Sequence, residues 1–148
     1  MHDVPDELQY CTFHLGNLLL GIPVLRVQEV IRYHEMTDVP LAPSVIRGLI
    51  NLRGEIVTAI DLRRRLGLPD REGEELPMNV VVRDQEGAVS LLVDEIGDVI
   101  EVDPEKHELP PETIGASVRD LVTGVYKLPD KLLLVLDTEE AISTGALA

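Results

Sequence analysis

Apolar and polar residues alternate with a period of two along most of this chain, in short runs broken by Gly, Pro, Asn or Asp, which predicts strands joined by turns. Gln9–Leu15 alternates, Gly16-Asn17 turns it and residues 18–22 return, so a hairpin opens the fold. Further strands are expected at Met78–Asp84, 88–94, 98–102, 121–128 and 131–136, with turns at 85–87 and 129–130. Pro23 suits a first helical position, and Val24, Val27, Val30 and Ile31 recur at helical spacing, which predicts a helical turn over residues 23–29 with Arg26 and Glu29 outward. Asp61 is placed to cap a short helix, LRRRLG, that stops at Gly67, its three arginines forming a solvated face. Asp137 and Glu140 have capping-box spacing for a last short helix. Residues 38–43, DVPLAP, form an extended connection, and the polar, proline-bounded segment 69–77 is the expected boundary between two halves.

The stretch VIRGLINLRGEIVTAIDL, residues 45–62, sets an asparagine and an arginine inside an otherwise apolar double run. Gly48 and Gly54 bracket residues 49–53, and Glu55 opens the second run, so a tight hairpin is expected. Leu49 and the region of Leu52 are expected to pack while Asn51 and Arg53 point the other way. On this pattern Arg53 is a solvated strand arginine or an internal salt-bridge partner.

The two halves resemble each other. Ser44-Val45, Leu49-Ile50, a turn, Ile56 and Ile60-Asp61 recur as Ser117-Val118, Leu121-Val122, a turn, Leu132 and Leu136-Asp137, at an offset that is 73 at the start and 76 at the end, the difference being absorbed at the hairpin turn. Val24, Val27, Glu29, Val30 and Ile31 match Val93, Ile96, Asp98, Val99 and Ile100 at an offset of 69. Duplication implies a mainly β fold of two barrel-like units with pseudo-two-fold symmetry, a shared core and a groove between them. Phe13, Ile22, Ile56, Val93 and Leu134 are expected inside. The 148 residues, 45% hydrophobic, suffice for one domain or for two small halves that share a core, whereas one half alone would be marginal.

Composition excludes several function classes. A net charge of −14 and only 3% aromatic residues leave no Lys/Arg surface for phosphates and little to stack on bases, so nucleic acid is not an expected partner. Residues 1–75 carry 8 Lys/Arg against 12 Asp/Glu, and residues 76–148 carry 5 against 15, so the second half is the acidic one. The single cysteine, Cys11, excludes an intrachain disulfide and reads as a buried, inert thiol. MHDVPDELQ has neither a basic n-region nor an apolar h-region, and no run is long enough to span a membrane, which points to a cytoplasmic protein. His2, His14, His34 and His107 are scattered without metal-ligand spacing, so neither a metal nor a cofactor is expected. No GxSxG, phosphate loop or dinucleotide fingerprint is present, and the carboxylates Asp94, Glu95, Asp98, Glu101 and Asp103 read as a hydrated sheet face, so no catalytic residue is assigned and no enzyme is expected.

The run Gly48-Leu49-Ile50-Asn51-Leu52-Arg53-Gly54, continuing through Ile60-Asp61-Leu62-Arg63, resembles the central signature of the CheW family of chemotaxis coupling proteins. Gly21-Ile22, Val27-Gln28-Glu29-Val30, Leu92-Val93-Asp94 and Asp98-Val99 match it too, in one order over roughly residues 9–142. The resemblance implies one CheW-like domain of two SH3-like five-stranded barrel subdomains, about 15–75 and 76–137, with the termini completing the opposite units. It implies a non-enzymatic adaptor that links the cytoplasmic tip of chemoreceptors to the regulatory domain of a CheA-type histidine kinase, in the cytoplasm at membrane-associated receptor arrays and without membrane insertion. Carried over by position, Val27 and Glu29 match the helical turn bordering the receptor groove, Gly48 and Arg53 the signature hairpin, and Val80 a groove-facing strand position of the second subdomain. Ser90 stands where the family has glycine, and kinase-binding positions stay unassigned. Under the resemblance Arg53 becomes a groove contact, since a guanidinium over an apolar groove can bind a carboxylate or helix-end carbonyls. Two other classes stay open: a CheW-like module of another array, controlling pili or biofilm or acting as a decoy on kinase sites, and an enzyme or ligand binder on paired barrels.

Overall fold

The structure is a computed structural model that describes residues 8–72, 76–84 and 87–143, Asp84 through its main chain. Eleven strands appear in it: β1 (Gln9–Leu15), β2 (Leu18–Pro23), β3 (Val27–Ile31), β4 (Ile46–Leu52), β5 (Glu55–Asp61), β6 (Met78–Asp84), β7 (Gly87–Val93), β8 (Glu95–Glu101), β9 (His107–Glu108), β10 (Val122–Lys127) and β11 (Leu132–Leu136). The helices are single turns, α1 (Leu62–Arg65), α2 (Ala116–Arg119) and α3 (Thr138–Ile142), with 3-10 turns at Val24–Arg26 and Pro104–Lys106.

Local chemistry accounts for the joints. Gly16 turns β1 into β2 at φ +57°. The β4–β5 hairpin closes through two residues of positive φ, Arg53 (+52°) and Gly54 (+88°), the pair of left-handed positions that suits the twist of a two-residue loop. Asp61 and Asp137 cap α1 and α3 through carboxylates that accept from the Arg64 and Glu140 main-chain N–H groups at 3.3 and 3.2 Å. Residues 23–29 differ from expectation: three of them form the 3-10 turn, and Val27 onward is strand, paired Val27 to Val82 and Val30 to Val80. A bulge between Val27 and Glu29 spaces the apolar residues by three, and that spacing imitates a helix.

The strands form two sheets with one plan. The first runs β3-β6-β7-β5-β4 and the second β8-β1-β2-β11-β10, with β9 added at the edge. In each, one hairpin lies parallel to the last strand of the other, β5 on β7 and β11 on β2. The offset of 69 holds, since Val30 pairs with Val80 as Val99 pairs with Cys11. The second offset is corrected: it is 76 along the whole hairpin. Ile46 faces Ile60 as Val122 faces Leu136, both strands bulge at the same place, and Gly48 corresponds to Gly124. Nor does the chain change sheet at residues 69–77, because the flanking β5 and β6 belong to one sheet; it crosses at Pro23–Val27 and at Asp94.

Alternation explains why the strands read as nearly continuous apolar runs. Val80 and Val82 face a core shared by the two sheets, with Phe13, Ile22, Leu91 and Leu134, while Val81 faces the interior of its own sheet with Ile50 and Val57. The second sheet encloses its own cluster around Tyr10, Tyr126 and Leu133. A strand buried on both faces has no polar side to show. Four of the five expected core residues are inside; Ile56 is 60% exposed, because it alternates with Val57 and lies opposite exposed Asn51. The same parity puts Leu49 with Asn51 rather than with the buried face formed by Gly48, Ile50 and Leu52.

Candidate protein-interaction site

Arg53 sits in the hairpin turn, not in a strand, and its left-handed backbone aims the side chain across the barrel mouth to Glu29 on β3. A flat five-stranded sheet would hold β3 and β4 about 19 Å apart, so this ion pair requires the sheet to curl and bring its two edges toward each other. Both members face solvent, the Arg53 side chain at 66% and the Glu29 side chain at 22%. The hydrogen bond from Arg53 lowers the Glu29 carboxyl below its ordinary range, and the bond to Glu29 raises the guanidinium. Of the two roles that the pattern allowed Arg53, internal ion pairing is therefore realised. On the segment that carries Glu29, Leu25 is 74% exposed and Val30 43%.

The other expected contacts stand differently. Val27, on β3 rather than a helical turn, is half-buried against the shared core. Gly48 is buried, and a Cβ there would lie 2.7 Å from the Thr37 carbonyl oxygen. Its missing side chain lets residues 36–37 cover the free edge of β4 through the reciprocal main-chain bonds of Thr37 and Leu49, 2.8 Å each. Gly124 plays the matching part beneath His107 of β9. Val80 is 1% exposed in the shared core, on the first sheet, so it faces no groove; alternation along β6 directs it inward. Ser90, fully buried, donates to Asn79 Oδ1 at 2.8 Å, and Asn79 donates to the Arg32 carbonyl at 3.0 Å. Topologically it matches Gly21, which packs against Tyr10.

A polar cluster that the sequence pattern hid lies at the crossing between sheets. Asp94 accepts from the Gly16 main-chain N–H at 2.7 Å, from Arg63 at 2.9 and 2.5 Å, and from Arg71 at 3.1 and 2.9 Å. Burial acts to raise this carboxyl, but the bonds from Arg63, Gly16 and Arg71 outweigh it and hold it at about 2. The expected solvated arginine face is thus corrected: Arg63 pairs with Asp94, Arg64 with Asp70, and Arg65 donates to the Glu140 carbonyl. Only the LVD and DLR triplets could have hinted at it. Beside Arg63, an apolar groove of about 670 Å³ opens between Leu18, Leu66, Ile114 and Val118. Among the described residues no three His, Cys, Asp or Glu side chains converge as a metal site, and His2 lies outside them.

The CheW-like domain family matches residues 9–145, almost the whole chain. The chain belongs to the CheW family. It is 31% identical over 140 residues to chemotaxis protein CheW of Klebsiella aerogenes, covering 95% of this chain and 84% of that one. Against chemotaxis protein CheW of Treponema pallidum the identity is 30% over 146 residues, covering 96% and 86%. The crystal structure of scaffolding protein TtCheW from Thermoanaerobacter tengcongensis superposes with a TM-score of 0.79 at 30% identity, over 92% of this chain and 88% of that chain. The two-sheet, mainly β architecture is thus the CheW fold, and the chain is a scaffold-type protein of chemotaxis. Among the described residues no helix is long and apolar enough to cross a membrane.

Proposed function

We propose that this chain couples the cytoplasmic tips of chemoreceptors to a CheA-type histidine kinase, as a cytoplasmic adaptor without chemistry of its own. Membership of the CheW family supports the partners, and the Glu29–Arg53 pair carries the site. It is a charged pair fixed on rigid elements, with exposed Leu25 and Val30 on the adjoining segment, which suits an amphipathic helix that docks by an apolar stripe and a few polar anchors. Glu29 and Arg53 touch the receptor; Val27 and Gly48 support them from behind, and Val80 takes no direct part. Receptors bring the adaptor to the membrane, so it needs no span of its own. Titrating the purified chain with a receptor-tip fragment, and separately with a kinase regulatory domain, should give one-to-one binding to each and a ternary complex with both. A chain that binds neither would refute the proposal.

A further inference from the structure

Beside the Glu29–Arg53 pair the polar side chains form a chain of hydrogen bonds. Arg83, on β6, donates from Nε to Gln28 Oε1 at 2.8 Å and from Nη2 to Glu55 Oε1 at 2.9 Å. Gln28 Nε2 in turn donates to Glu29 Oε2 at 3.4 Å, the same oxygen that receives Arg53. Glu55, next to the hairpin turn, also acts on Arg53 through its charge. The hydrogen-bonded chain thus runs Glu55, Arg83, Gln28, Glu29 and Arg53, drawing on β5, β6, β3 and the β4–β5 turn.

A guanidinium has donors only, so Arg83 can face only the oxygen of the Gln28 amide, and the amide N–H groups must then point to Glu29. Glu29, an acceptor only, takes that same amide end, so Arg83 and Glu29 hold Gln28 between them. The orientation of Glu29, and through it that of Arg53, therefore depends on a residue one strand away. We infer that Arg83 is a positioning residue for the partner-binding pair, acting through Gln28 and not by touching the partner. The inference rests on the function proposed above. Among the described residues the hydrogen bonds of the pair use Glu29 Oε2 and Arg53 Nη2, and the remaining oxygen and N–H groups of the pair suit a helix that offers both a donor and a carboxylate or carbonyl acceptor.

The test is a double-mutant cycle, R83A and Q28A singly and together, read by calorimetric titration with a receptor-tip fragment, with the Arg53 Nε–Hε resonance followed by NMR without partner. R83A should weaken binding roughly threefold to tenfold. In the Q28A background it should add almost nothing, and in the otherwise unsubstituted chain it should shift the Arg53 resonance while the melting temperature stays nearly unchanged. Equal losses in both backgrounds, an unmoved Arg53 resonance, or unchanged affinity overturns the positioning role. If the unsubstituted chain does not bind the tip at all, the proposed function falls, and the inference with it. Normal binding by the unsubstituted chain alongside an inert R83A overturns the inference alone.

Discussion

Asp94→Asn removes the charge at the joint where the chain passes between its two sheets, and the structure sets the size of the effect. The Asp94, Arg63 and Arg71 side chains are 15%, 16% and 12% exposed, so solvent does little to compensate either arginine once the carboxylate is gone. A carboxyl held at about 2 against an ordinary 3.8 corresponds to ~2.4 kcal/mol of folding stability, at about 1.36 kcal/mol per pH unit. Removing one partner of a fully buried pair costs ~3–5 kcal/mol, so roughly 2–3 kcal/mol is expected for this partly open site. The folded-state value is depressed, so the contribution is complete above the unfolded value of 3.8 and is lost as pH falls through about 2. Urea denaturation of both proteins from pH 7 to pH 2 should therefore show a gap that is widest at neutral pH and narrows below pH 3.8. Taking the difference between the two proteins cancels the other carboxylates. A gap under about 1 kcal/mol at pH 7, or one that does not narrow in acid, would refute the assignment of Asp94 as the joint's counter-charge.

Arg53→Ala should lower affinity for a receptor-tip fragment at least about tenfold while moving the melting temperature by no more than roughly 2 °C, since an exposed pair adds little to folding; calorimetric titration and a thermal melt on one sample check both. Gly48→Ala should destabilise by ~1–3 kcal/mol, because the new methyl meets the Thr37 main chain, whereas Gly124→Ala should cost less, because it meets the end of the His107 ring, which can swing away; paired denaturation curves decide the order. Leu41 is fully exposed with φ +68°, so Leu41→Asn should leave stability unchanged or raise it by ~0.5–1 kcal/mol, asparagine tolerating that conformation better. A clear loss on melting would show that Leu41 makes a folding contact.

Short-range physics was legible in the sequence. Turn chemistry placed the hairpins at Gly16 and at Gly54, side-chain caps placed α1 and α3 at Asp61 and Asp137, and the offset of 69 exposed the internal repeat, because each depends on residues a few positions apart or on a repeating period. The signature hairpin was enough to name the family. Tertiary structure alone decided which strands share a sheet, hence that β6 and β7 complete the first sheet and that the hairpin repeat has one offset of 76, with Gly48 matching Gly124. It also decided which face each residue presents: Val80 went to the core and Ile56 to solvent, since a two-sided strand gives no polar alternation to fix its parity. Glu29 with Arg53, and Asp94 with Arg63 and Arg71, lie 24, 31 and 23 positions apart. Such pairs form only when a sheet curls or two sheets meet, and a charged residue's sequence neighbours carry no record of the partner that closure brings to it.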